Sequence, residues 1–143
     1  MTKEITRGIR NNNPFNIRRS GTLWQGKLYS GKDKSFEVFT SMDYGIRAGI
    51  LILRTYVCVH KLTSVKDIIN RFAPESENDT VAYVSYCEKF LRDRGCDPNH
   101  INFGDMAFCS LCSAIMIFES RFFVLPLMVH DYLKKFNLIS HAI

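Results

Sequence analysis

The side chain with the clearest chemical prospects is Glu119, which closes the run Asp105 to Glu119, DMAFCSLCSAIMIFE. Almost every position there is apolar, with only two serines interrupting, so the run reads as a helix through the middle of a core. An acid carried to the rim of such a core is partly stripped of water. Desolvation favours its protonated form and raises its pKa toward the range of a general acid. A second carboxylate would complete an acid–base pair, and Asp33 and Glu37 are the candidates to face Glu119 across a cleft. Ring faces for stacking on a sugar or a base come from Trp24, the only tryptophan, and from Phe39 and Tyr83. Amides able to hydrogen-bond a polar ligand come from Asn13, Asn16 and Asn78, with Ser120 next to the acid.

These residues need elements to hold them. Gly104 and Asp105 supply a break and an N-cap for the core helix. The stretch NNNPFNIRRSGTLWQGK, from Asn11 to Lys27, carries turn chemistry and reads as a structured loop. KLYS and SFEVF alternate around GKDK, which predicts a hairpin over Lys27 to Thr40. Helices are expected at Ser41 to Val59, Ser64 to Phe72, Thr80 to Arg94 and Pro126 to Phe136, from their caps, their apolar spacing and the prolines that stop or start them. Gly45, Ala48 and Gly49 form a small-residue patch on the first of these, suited to close approach by another helix. The sum is an α+β, mostly helical single domain over residues 11–143, preceded by a flexible basic arm over residues 1–10.

A chain of 143 residues that is 46% hydrophobic has one core. Nineteen Lys and Arg against 14 Asp and Glu give a net charge of +5, which suits an anionic partner without naming one. No apolar run approaches the ~18 residues of a membrane-crossing helix, and the polar start predicts synthesis in the cytoplasm without a signal peptide. Five cysteines fit reduced thiols. Cys109 and Cys112 make a CxxC inside the apolar run, without a second pair or a nearby histidine, and read as small core residues; neither a metal nor a cofactor is expected.

Several ordered boxes carry a family resemblance over roughly residues 7 to 120. They are IRNNNPFNIRRSGTLWQG, the D-x-x-F from Asp33 to Phe36, YGIRAG from Tyr44, TSVKDIINRFAP from Thr63 and ENDTVAYV from Glu77. Together they resemble small phage and prophage proteins described as virion structural proteins or as lysozyme-like peptidoglycan hydrolases. The end of the core helix is similar to that family's I-x-x-E-N-G, with Glu119 on the acid. FES resembles the E-S-G box of lytic transglycosylases and of glycoside hydrolase family 73 glucosaminidases, and NNPFNIR resembles the asparagine box of those glucosaminidases. Their box order is reversed here, which implies a circularly permuted lysozyme-like fold. Arg121 and Phe15 stand where the family carries glycine.

The resemblance implies cleavage of peptidoglycan glycan strands, with Glu119 as general acid, Asp33 or Glu37 as the second carboxylate, and Asn13, Asn16, Asn78, Trp24, Phe39, Tyr83 and Ser120 around the sugar. Water attack would make a lysozyme or glucosaminidase, and attack by the muramyl 6-hydroxyl a lytic transglycosylase. The work would be done in a virion or at the bacterial cell wall, after delivery by another route. The rival expectation is a non-catalytic virion or tail component that binds cell wall, other virion proteins or a secretion apparatus. A nucleic-acid role rests only on Arg7, Arg10, Arg18 and Arg19 and has no reading motif.

Overall fold

The computed structural model describes residues 5–75 and 79–140. Six helices follow one another: α1 (Arg7–Arg10), α2 (Met42–Cys58), α3 (Val65–Phe72), α4 (Thr80–Arg92), α5 (Met106–Ser120) and α6 (Pro126–Lys135). Their starts are chemically marked. Ser64 accepts from the Asp67 N–H, Asp79 from Ala82 and Asp105 from Phe108, each taking up a backbone donor the first turn leaves free. Pro126 opens α6, where a missing N–H costs nothing.

Helix α5 is the centre. From Ala107 to Met116 every residue is buried, and α1, α4 and α6 all pack on it. Two sides of the molecule therefore lean on one apolar rod. The rod includes Cys109 and Cys112, whose thiols are free; burial pushes the Cys109 thiol up to about 12 and Cys112 well above its ordinary value. Among the described residues no group of side chains has metal-ligand clustering, and no helix is long and apolar enough to cross a membrane.

Three expectations change. The described residues hold no sheet. The stretch expected as a hairpin makes single antiparallel bridges, Lys27 to Phe39 and Arg18 to Phe36. Between them the chain wraps the Asp33 carboxylate, which accepts the Ser35 and Phe36 N–H groups that a ladder would have used. Part of the basic arm is built into the fold: Thr6 caps α1, and Gly8 is buried so tightly that a Cβ there would lie 1.8 Å from the Ser120 hydroxyl. Residues 1–4 of the arm lie outside the described residues.

The described ends give the expected circular permutation no support. Thr6 hydrogen-bonds the Ser120 carbonyl at the end of α5, whereas Ile139 packs on Gly104 just before its start. The described ends of the chain are thus separated by the length of a 15-residue helix, about 20 Å, instead of meeting.

Candidate active site

The asparagine loop is wedged between α2 and the end of α5. Asn13 is fully buried; its amide donates to the Ile17 and Glu37 carbonyls at 3.0 Å and its Oδ1 accepts from the Ile17 N–H. Asn12 donates to the Phe39 carbonyl and Asn11 to Asp33. The small-residue patch on α2 receives this loop instead of a helix. A Cβ at Gly45 would lie 1.8 Å from the Asn12 carbonyl oxygen, and one at Gly49 would lie 2.0 Å from the Phe15 ring. Phe15, in the place of the family's glycine, is wholly buried and meets Phe72 edge-on. It fills core and has no left-handed backbone to strain.

At the far end of the loop, Asn16 reaches Glu119. Its amide donates to the Glu119 carbonyl at 3.1 Å and to the carboxylate at 3.3 Å. Ser120, buried, donates to the Pro14 carbonyl at 2.9 Å, so it locks loop to helix and is not open to a ligand. Arg121 then ends the helix in the left-handed conformation, φ 52° and ψ 35°. That is the backbone a glycine at this position takes without strain.

Glu119 is half-buried and lines a hollow of about 260 Å³. Phe36, Ile52, Tyr56 and Phe72 make its apolar walls, and Asn16 and Arg18 are its other polar groups. Burial raises the Glu119 pKa, outweighing the opposite pull of the Tyr83 hydroxyl, the Asn16 amide and the Arg18 charge. The Tyr83 hydroxyl approaches the carboxylate without closing a hydrogen bond of normal geometry.

Neither candidate partner shares this hollow. Asp33 faces a different, polar depression with Arg7, Arg10 and Lys32. Its carboxylate is held by the Arg7 guanidinium at 2.6 and 2.7 Å, by Asn11 at 2.9 Å and by two backbone N–H groups. These donors, Arg7 foremost, hold its pKa well below the usual carboxylate range. Glu37 is 1% exposed and sits 3.0 Å from the Lys27 ammonium, a buried ion pair that closes the loop from inside. Phe39 and Tyr83 are core residues, the latter stacked on Phe118 with ring centres 4.0 Å apart, so neither offers a ring face. Asn78 lies outside the described residues.

Trp24 is half-buried and belongs to a second hollow of about 440 Å³, which adjoins the first through Ile17, Ile52 and Tyr56. Arg54, His60 and Arg71 line it as well. These three, with Ile52 and Tyr56, are the site residues that sequence reasoning did not single out. One signal was present. Ile52 and Tyr56 are four residues apart on α2 and lie off its buried stripe, which marks a second apolar strip on a helix with one face already spoken for.

The fold and site define a mostly helical protein in which the core helix delivers Glu119, the one acid among the described lining residues, to a hollow. No family model matches the chain. It is 38% identical over 120 residues, 82% of its own length and 72% of the relative's, to Protein P5 of Pseudoalteromonas phage PM2. The chain belongs to the family of that phage protein.

Proposed function

We propose that this protein cleaves the glycan strands of peptidoglycan, with Glu119 as general acid, on a lysozyme-like helical scaffold in a phage or prophage setting. One observation carries the proposal: the carboxyl at the end of the core helix is half-buried, so that desolvation raises its pKa, yet it opens onto a hollow lined with aromatic and polar groups. Protonated Glu119 donates to the oxygen joining two amino sugars, the glycosidic bond breaks, and positive charge develops at the anomeric carbon. An inverting or retaining hydrolase with two carboxylates needs the second about 5–10 Å away across the sugar. The described residues lining the hollow hold only Glu119.

That lone acid supports single-carboxyl chemistry. The substrate's acetamido oxygen closes onto the anomeric carbon as an oxazolinium ion; water or the muramyl 6-hydroxyl then attacks that carbon, the ring's C–O bond breaks to restore the acetamide, and the Glu119 carboxylate takes the attacking hydroxyl's proton. Attack by the 6-hydroxyl would leave a 1,6-anhydromuramyl end, and capture by water a reducing end. The cleft would be presented at the cell wall by a virion or another delivery route, with other virion or secretion-apparatus proteins as neighbours.

Zymography on purified peptidoglycan, with mass spectrometry of the released fragments, tests this. Clearing by the wild type and none by Glu119→Gln is expected. Equal clearing by both removes Glu119 from the chemistry. No clearing by either favours a non-catalytic virion component that binds the wall through the same hollow, a role that the missing second carboxylate also fits.

A further inference from the structure

We infer that the hollow beside the acid site is a subsite for the carboxylates borne by muramyl sugars; this rests on the glycan-strand cleavage proposed above. Arg54 from α2 and Arg71 from α3 line it, joined by His60 just past the end of α2, and among the described residues no Asp or Glu lines it. Some cations elsewhere are ion-paired. Arg7, Lys27, Lys89 and Lys135 each lie against a carboxylate: Asp33, Glu37, Asp93 and Asp43. Arg54 and Arg71 have no carboxylate partner among the described residues.

Aromatic rings hold them instead. The Arg71 guanidinium lies 5.2 Å from the centre of the Tyr56 ring, and that of Arg54 lies 5.9 Å from the centre of Phe103. The Arg71 guanidinium also reaches the Tyr56 hydroxyl, which occupies part of its fork; the remaining N–H edges of the two guanidiniums suit a planar anion such as a carboxylate. Two such groups and an imidazole, with no acid among the described lining residues, form a place for a carboxylate that arrives with a ligand.

Tyr56 is shared by both hollows, so a strand with one sugar bond at Glu119 lays its neighbouring sugars toward Arg54 and Arg71. On a peptidoglycan strand, alternate sugars carry a 3-O-lactyl group, with its carboxylate free or extended by a stem peptide that bears further carboxylates. A chitin strand has the same acetamido sugars and none of that charge. The second hollow therefore selects anionic strands over neutral ones of the same backbone.

Trp24 is the only tryptophan and lines this hollow, so its fluorescence reports occupancy. Three probes are titrated into Glu119→Gln, with and without Arg54→Gln and Arg71→Gln: peptide-bearing strands, strands stripped to the lactyl carboxylate, and chitotetraose. The double arginine change is expected to weaken binding of peptide-bearing strands about tenfold and leave chitotetraose unaltered. A loss that persists on stripped strands shows that a free lactyl carboxylate can fill the hollow, and a loss confined to peptide-bearing strands assigns the anion to the stem peptide. Unaltered affinity for every strand, or an equal loss on chitotetraose, overturns the subsite. If the wild type clears peptidoglycan while the arginine changes do nothing, the subsite alone falls. If the wild type neither binds nor clears it, the cleavage proposal falls and the subsite with it.

Discussion

Glu119 and Asp33 are both carboxylates in cavities beside the same asparagine loop, and their surroundings push them in opposite directions. Five close contacts from four residues, Arg7, Asn11, Ser35 and Phe36, converge on Asp33, with the Arg7 charge among them. Around Glu119, one amide at 3.3 Å and a poorly aligned phenol do not replace the water lost. Burial with few donors raises the Glu119 pKa, and the Arg7 hydrogen bond with the other donors lowers that of Asp33. Asp33 is thereby committed to holding the loop, and Glu119 is left able to give a proton away.

The comparison breaks most clearly in activity. Glu119→Gln is expected to lower the rate of peptidoglycan clearing at least about 1,000-fold, near the full contribution of a general acid. Asp33→Asn is expected to stay within about threefold of wild type, because its carboxylate points away from the hollow. A comparable loss for Asp33→Asn would make it a second catalytic group and dissolve the contrast.

Stability against pH sharpens the same contrast with a smaller effect. The Asp33 pKa is depressed in the fold, so its contribution is present above the ordinary carboxylate value and is lost as pH falls through the folded one. At neutral pH, Asp33→Asn should melt about 5 °C below wild type, with the gap closing as pH drops below ~4. Glu119 runs the other way. Its raised pKa means that wild type loses stability as pH climbs past the ordinary carboxylate value toward the raised one. Glu119→Gln should therefore melt about 3 °C above wild type at neutral pH and equal it in acid. Clearing by wild type should decline over that same upper window as the acid ionises. Calorimetry and turbidity assays across pH 3–8, about the range both proteins tolerate, read out each sign.

How far the sequence reveals this depends on whether the cause is local. Helix α5 and its Asp105 cap are legible because an unbroken apolar run can only be central, and the acid at its end follows. The role of Asp33 was open to two readings: a D-x-x-F box suits a cleft carboxylate, but an Asp followed by acceptable N–H groups two and three residues on is also a turn. Arg7, 26 residues away, decides between them. Gly45 and Gly49 announce a close approach but not what approaches, and the visitor proved to be a loop. The arginine hollow draws on α2, α3 and the Trp24 loop, and no spacing within one element connects them.

The smallest expected effect concerns the residue that follows the acid. Arg121 takes φ 52°, ψ 35°, where an L side chain strains its own backbone and glycine does not. It nonetheless completes the helix end, its N–H donating to the Ile117 carbonyl at 2.8 Å, while the Phe122 N–H reaches the Met116 carbonyl. Its side chain is exposed, and neither hollow includes it. Arg121→Gly should therefore relieve about 1 kcal/mol of strain, raise the melting temperature by about 3 °C and leave clearing of peptidoglycan unchanged. If clearing instead rose severalfold with no gain in stability, backbone access beside Glu119 would be limiting. The departure from the family's glycine would then be a constraint on the site, and the difference between the two carboxylates would no longer account for activity alone.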